Sequence, residues 1–216
     1  MPRKALIRTA DLPYHVTNRS NNKEFFYVAP EDLWPICLNV LSKIRELFGC
    51  QIHCFVLMSN HFHLIISTPR ENIGDAMKYF HREVARQANK LAGRINHFFG
   101  GRYKWSVIHN EIYFWNAVKY VFRNPVEAGL CHRVEGFRYS SLNSQPEDFS
   151  WELFDVFNDR NLLIQPDLEW LNENFKEEQR MAISKALRRR VFEIPASESG
   201  YLVTLDAARR RKGTVT

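Results

Sequence analysis

The sequence predicts an α+β fold: a four-stranded antiparallel sheet with two crossover helices on one face, followed by a helical C-terminal extension. Three observations predict it. Runs of period two and runs of helical period alternate in the order β-α-β-β-α-β across residues 14–110. The second and third β-rich runs are separated only by Ser59-Asn60, which is hairpin spacing. Each helical run carries one apolar stripe, so each can cover a sheet. This order is the split βαβ arrangement. One face of the sheet is left over for an added helix or a ligand.

Each element has its own local cause. Tyr14-His-Val-Thr-Asn-Arg19 alternates and then breaks at Ser20-Asn-Asn, giving a strand and a turn. From Pro30 to Phe48, Leu33, Ile36, Cys37, Val40, Leu41, Ile44 and Leu47 recur at helical spacing, and Gly49 supplies the stop. Gln51 to Met58 and His61 to Thr68 form the hairpin. Ile73 to Leu91 is a second helix, with Met77, Phe80, Val84, Ala88 and Leu91 on one stripe and Lys78, Arg82, Arg86 and Lys90 on the other. After a Gly-containing loop, Lys104 to Asn110 reads as the fourth strand and Tyr113 to Phe122 as a third helix, placed to lie across the open sheet face. Residues 1–142 are thus expected to form one domain. Residues 143–216 are expected to be an extension with one helix, Asp167 to Arg190, and a basic tail.

Composition narrows the class. With 216 residues, 45% of them apolar and 25% charged, the chain can bury a sizeable core. No apolar run approaches the roughly 20 residues of a membrane span, and no signal-peptide stretch follows Met1-Pro-Arg-Lys. Four cysteines without a CxxC pair fit reduced thiols, so a cytoplasmic protein with no membrane partner is expected. Residues 1–150 hold 19 Lys/Arg against 13 Asp/Glu, whereas residues 151–216 hold 11 of each. The whole excess of +6 therefore sits in the first part. A basic domain with basic terminal runs (Arg188-Arg189-Arg190 and Arg209-Arg210-Arg211-Lys212) suits a polyanionic partner.

Two constellations can carry chemistry. His61 and His63 flank Phe62 in a strand, so both imidazoles share one face while Phe62, Leu64 and Ile66 take the other. Two neutral imidazoles side by side are a ready pair of metal ligands. The same pattern also arises from two polar residues on a solvated face. Tyr120 and Asn124 lie one helical turn apart, and Pro125 requires the helix to kink or end close by. A core tyrosine and a helix-ending Asn would look alike. A zinc site at Cys50 and Cys54 with a histidine is disfavoured, because Cys54 and His53 are expected on opposite strand faces and Cys50 precedes the strand.

Taken together, Met58-Ser-Asn-His-Phe-His-Leu-Ile-Ile66, Tyr14-His-Val-Thr-Asn-Arg19 before it, and Tyr120-Val-Phe-Arg-Asn-Pro-Val-Glu-Ala-Gly-Leu130 after it resemble the REP-associated tyrosine transposases. These belong to the HUH (His-hydrophobe-His) single-tyrosine superfamily. The resemblance runs in order over about residues 8–142 and includes Arg102-Tyr-Lys104; Ser59 stands where proline is commoner in the family. It implies a ferredoxin-like nuclease fold, a divalent metal (Mg²⁺ or Mn²⁺) on His61 and His63, Asn124 as the third ligand, and Tyr120 as the nucleophile. The implied activity is cleavage and rejoining of single-stranded or hairpin DNA through a 5′-phosphotyrosine, by a monomer or homodimer associated with a bacterial nucleoid. Arg19, Lys78, Arg82, Arg86, Arg102 and Lys104 are the expected DNA-binding cations, with Tyr103 and Trp105 as stacking candidates. A catalytically silent DNA- or RNA-binding regulator of the same fold is the alternative, and the intact His61, His63, Tyr120 and Asn124 speak against it.

Overall fold

A computed structural model describes residues 5–95, 97–143, 153–157, 159–194, 205 and 210–212. Strands β1 (Tyr14–Arg19), β2 (Gln51–Leu57), β3 (His61–Ser67) and β4 (Lys104–Val107) form an antiparallel sheet in the order β2-β3-β1-β4. The crossovers are helices α1 (Pro30–Phe48) and α2 (Ile73–Ala92), as the periodicity predicts. Gly49 ends α1 at φ +67°, a left-handed conformation that glycine adopts without the cost of a Cβ.

Strand alternation divides the apolar side chains into two cores. Tyr14, Val16, Phe62, Leu64 and Ile66 face α1 and α2, packing with Leu41, Ile44, Met77 and Phe80. Cys54, Val56 and Ile65 face the other way, against Phe114, Val118 and Val121 of α3 (Glu111–Glu127). Each fully buried Phe or Ile contributes about 1.5–3 kcal/mol through loss of apolar surface from water. Covering both faces of the sheet is therefore worth far more than any single polar contact. No helix among the described residues is long and apolar enough to cross a membrane.

Four expectations need correction. β4 stops at Val107 rather than Asn110, because Asn110 turns out of the sheet to cap α3, its side chain accepting from the Tyr113 N–H at 2.9 Å. α3 is longer than predicted at both ends. Pro125 lies inside its last turn and the helix ends two residues later, close by as the proline ring requires. The predicted helix from Asp167 to Arg190 is two helices, α4 (Leu168–Asn172) and α5 (Glu177–Ala186), separated at residues 173–176. The buried guanidinium of Arg123 on α3 explains the split: it donates to the Asn172 carbonyl at 2.6 Å and to Asn174 Oδ1 at 2.5 Å, drawing the linker inward. Finally, a bulge between Ile52 and Cys54 defeats simple alternation in β2. His53 lies edge-on to Phe114, and Cys54 joins the same α3-side core. A zinc site on Cys50 and Cys54 remains disfavoured, since Cys50 belongs to the opposite core.

The extension shares the α3-side core. Trp170, Leu171, Ala182, Ile183, Ala186, Leu187 and Phe192 pack with α3. A small second sheet joins β5 (Phe154–Asp155), β6 (Asp159–Pro166) and β7 (Arg210–Lys212). Arg209, the first residue of the predicted basic tail run, lies outside the described residues.

Burial of imidazoles makes stability depend on pH. Burial lowers the pKa of His53 to about 3 and of His81 to about 4. The unfolded chain takes up these protons near the ordinary value of 6.5, so the native state is favoured in full above that pH. Its advantage is lost as pH falls toward 4, by at most about 1.4 kcal/mol per pH unit for each ring. The urea unfolding midpoint should therefore drop between pH 7 and pH 4.5, and His53→Gln should flatten the decline. A midpoint that stays constant over that range would contradict it.

Candidate active site

Period-two alternation on β1 and β3 builds the floor of one cavity. It is a space of about 140 Å³ lined by His15, Thr17 and Arg19 of β1, His61 and His63 of β3, Lys104 of β4, and Tyr120 and Asn124 of α3. The His61 and His63 rings lie 5.0 Å apart, and the Tyr120 ring sits edge-on to His63 at 5.9 Å. The helix after the fourth strand thus brings phenol, amide and both imidazoles to one sheet face, as the two constellations predict.

The hydrogen bonds decide which atoms remain free. Asn60 Nδ2 donates to the Lys23 carbonyl at 2.8 Å, so its Oδ1 faces His61 and accepts from His61 Nδ1 at 2.6 Å. That leaves the His61 Nε2 lone pair toward the cavity. His63 Nδ1 is 2.8 Å from His15 Nε2. Asn124 Nδ2 donates to the Tyr120 carbonyl at 2.7 Å, which leaves the amide oxygen turned toward His63. Two ring nitrogens and one amide oxygen, each oriented by a second contact, are a donor set that fits a divalent cation. For the lone pair of His63 Nε2 to be available, its Nδ1–H must donate to His15, whose own proton then sits on Nδ1. That buried nitrogen has no hydrogen-bond partner among the described residues. Burial holds His61 down to about 4, helped by the charge of Arg19, and holds His15 down to about 3. His63 is also lowered well below 6.5, chiefly by burial. All three rings are therefore neutral at pH 7, as ligation requires.

The charges around the cavity have one sign. Arg19 and Lys104 line it, joined by Arg188, and no Asp or Glu among the described residues does. Of the predicted DNA-binding cations, only Arg19 and Lys104 come to this site. Lys78 and Arg102 border a separate cleft of about 1190 Å³ beside α2. Arg82 and Arg86 are exposed on α2, on the far side of the sheet, and both pair with Glu83 at 3.1 and 2.9 Å. Tyr103 and Trp105 line the α2 cleft as well, and Tyr103 is already stacked on His81 with ring centroids 5.3 Å apart.

Sequence reasoning missed His15, Ser184 and Leu187, and it read Arg188 only as part of a basic run, not as a residue of this cavity. The alternation of Tyr14-His-Val-Thr does put His15 on the face of Thr17 and Arg19, which was a usable signal. Nothing in the sequence brings residues 184–188 back over the sheet.

The family described as "Transposase IS200 like" matches residues 8–124, a span that includes every element of the cavity except α5. Among solved structures, the chain resembles a REP-associated tyrosine transposase bound to a REP hairpin, with a TM-score of 0.54 and 18% identity over 74% of this chain and 96% of that one. That likeness establishes the shared fold. A proposed transposase from Deinococcus radiodurans aligns with a TM-score of 0.39 and 15% identity over 56% of this chain and 94% of that one. No curated protein matches the chain. With more than half of its length matched by the family, and the cavity built within that span, the chain belongs to the IS200-like transposases.

Proposed function

We propose that the protein cleaves and rejoins single-stranded or hairpin-associated DNA through a 5′-phosphotyrosine at Tyr120. The observation that carries this reading is the meeting of Tyr120 with His61, His63 and Asn124 in one cationic cavity that no carboxylate among the described residues lines. Such a cavity suits a phosphodiester: the cations offset its charge, and no acid repels it. The REP hairpin bound by the fold relative supports hairpin DNA as the partner.

In the proposed reaction the Tyr120 oxygen attacks phosphorus in line, the bond to the 3′ oxygen breaks, and the phenolic proton is lost as the departing 3′ oxygen gains one. The phosphotyrosine conserves the diester bond, so a 3′-OH can reverse the step without a nucleotide cofactor. Arg19 and Lys104 hold the strand's phosphate against the sheet. His61, His63 and Asn124 would hold a divalent cation, Mg²⁺ or Mn²⁺, which when bound supplies Lewis-acid stabilisation of the phosphoryl oxygens. Imidazole donors favour Mn²⁺ over Mg²⁺, which prefers oxygen.

Tyr120→Phe removes one oxygen and leaves packing nearly unchanged. It should abolish the covalent protein–DNA band on a denaturing gel while hairpin affinity stays within a few-fold. An adduct formed by the Phe variant would assign the nucleophile elsewhere, and an inactive wild type would favour the silent regulator.

His61→Ala and His63→Ala should each remove Mn²⁺ binding measured by calorimetry. His15→Ala, which leaves both ligands in place but frees the His63 ring, should weaken it by about 10–100-fold. Unchanged binding in the His61/His63 double variant would place the metal elsewhere.

A cation entering this cavity meets neutral donors and three positive side chains, so the strand's phosphate is its natural counter-charge. Metal and DNA should therefore bind cooperatively, each tightening the other by the same factor. Titrating Mn²⁺ into Tyr120→Phe with and without a single-stranded oligonucleotide would show this as a lower dissociation constant in the presence of DNA. Equal constants would refute the coupling.

A further inference from the structure

We propose that Arg188 is a phosphate-binding residue of this site, so that the C-terminal extension completes the substrate cavity. The inference rests on the reading that a DNA strand is the substrate. It concerns a part of the chain beyond the family's span, which ends at residue 124.

The placement is fixed by packing. Ala182, Ile183, Ala186 and Leu187 bury one face of α5 in the core shared with Val118 and Val121 of α3. The linker ahead of α5 is tied to α3 by Arg123 through Asn172 and Asn174. Just beyond α5 the chain is secured to β4: the Val107 N–H donates to the Arg190 carbonyl at 2.9 Å, and the Phe192 N–H to the Val107 carbonyl at 2.7 Å. Residues 184–188 are thus held from both sides over the cavity, and Ser184, Leu187 and Arg188 line it.

Within the arginine triplet the roles separate. Arg190 is committed to structure, donating to the Ala5 carbonyl at 2.6 Å and lying 6.0 Å over the Trp105 ring. Arg189 does not line the cavity. Arg188 does, is exposed, and pairs with no carboxylate among the described residues. With Arg19 from β1 and Lys104 from β4, it makes three like charges from three elements around a small space. Like charges held together in this way are unfavourable until an anion joins them. The ligand that fits is a phosphodiester, which a guanidinium can bind through two parallel N–H donors. Arg188 lines the cavity from just beyond the end of α5, and Arg19 lines it from β1, so a strand lying there meets cations from two separate elements.

The test uses the full chain without divalent metal and a fluorescent single-stranded oligonucleotide, with anisotropy read across a series of salt concentrations. Arg188→Ala should weaken binding by about tenfold and reduce the salt slope by about 0.7, one phosphate contact on a single strand. Arg188→Lys should recover part of the affinity, and Arg189→Ala should leave both values unchanged. Competition with inorganic phosphate should displace the strand only at far higher concentration, because a free ion reaches one contact where a strand reaches several. If the wild type fails to bind the oligonucleotide, the reading of a DNA substrate falls and this proposal with it. If the wild type binds and Arg188→Ala matches it in affinity and slope, the substrate stands and the assignment of Arg188 is wrong. Circular dichroism of Arg188→Ala should show the wild-type melting temperature, since this exposed side chain makes no hydrogen bond or ion pair among the described residues; a lowered one would also count against the assignment.

Discussion

The pairing of β1 with β3 is the constraint on which the rest of the molecule depends. Thr17 stands opposite His63 and Arg19 opposite His61, and the same register brings His15 Nε2 within 2.8 Å of His63 Nδ1. Because side chains alternate faces, a slip of one residue would send the histidines into the α1–α2 core and turn Phe62, Leu64 and Ile66 toward the cavity. The apolar residues forbid that slip. Phe62 is 1% exposed and Leu64 and Ile66 are fully buried, so the hydrophobic side of β3 sets the position of its polar side. The chemistry is held in place by residues that take no part in it.

How much of this was legible follows from the range of the signals involved. Both crossover helices, the hairpin and the shared face of His61 and His63 are local patterns, and they were read close to their observed bounds. Tyr120 and Asn124 were legible as a pair because one helical turn separates them. Their approach to the histidines depended on α3 crossing the open sheet face, which the topology allowed but did not require. His15 was harder, since its value comes from a neighbour 48 positions away. The bulge in β2 was invisible, because an extra residue in a strand has no compositional mark. The division of Asp167–Arg190 into two helices was also hidden, for its cause is Arg123 on another element. The charged stripe of α2 belongs to the helix on the other side of the sheet from the cavity, and there Glu83 pairs with both Arg82 and Arg86.

The α3-side core shows why the extension is not an ornament. Helix α3 touches the sheet with one side and would otherwise leave its remaining apolar surface in water. Lys119 and Arg123 point from α3 into the extension, and both are buried. The ammonium of Lys119 lies 4.6 Å from the Trp170 ring centre and 5.0 Å from that of Phe175, so aromatic faces receive one charge while carbonyl and carboxylate oxygens receive the other. Two buried cations on one helix specify orientation more sharply than apolar contact does, because each needs its own partners in its own place. Helix α5 inherits that orientation.

The segments that return to the sheet also close its flanks. Along β2, the Leu57 N–H donates to the Tyr139 carbonyl and the Phe55 N–H to Ser141 Oγ; along β4, Val107 exchanges hydrogen bonds with Arg190 and Phe192. An antiparallel sheet with bare outer strands is a template for lengthening by any strand that arrives, including one from a sister molecule. Here the template is interrupted on both sides by the chain's own later residues. During synthesis the β2 side can be sealed soon after α3 emerges, whereas the β4 side waits for residues 190–192. The newborn chain therefore passes through an interval with one adhesive border, and the extension ends it.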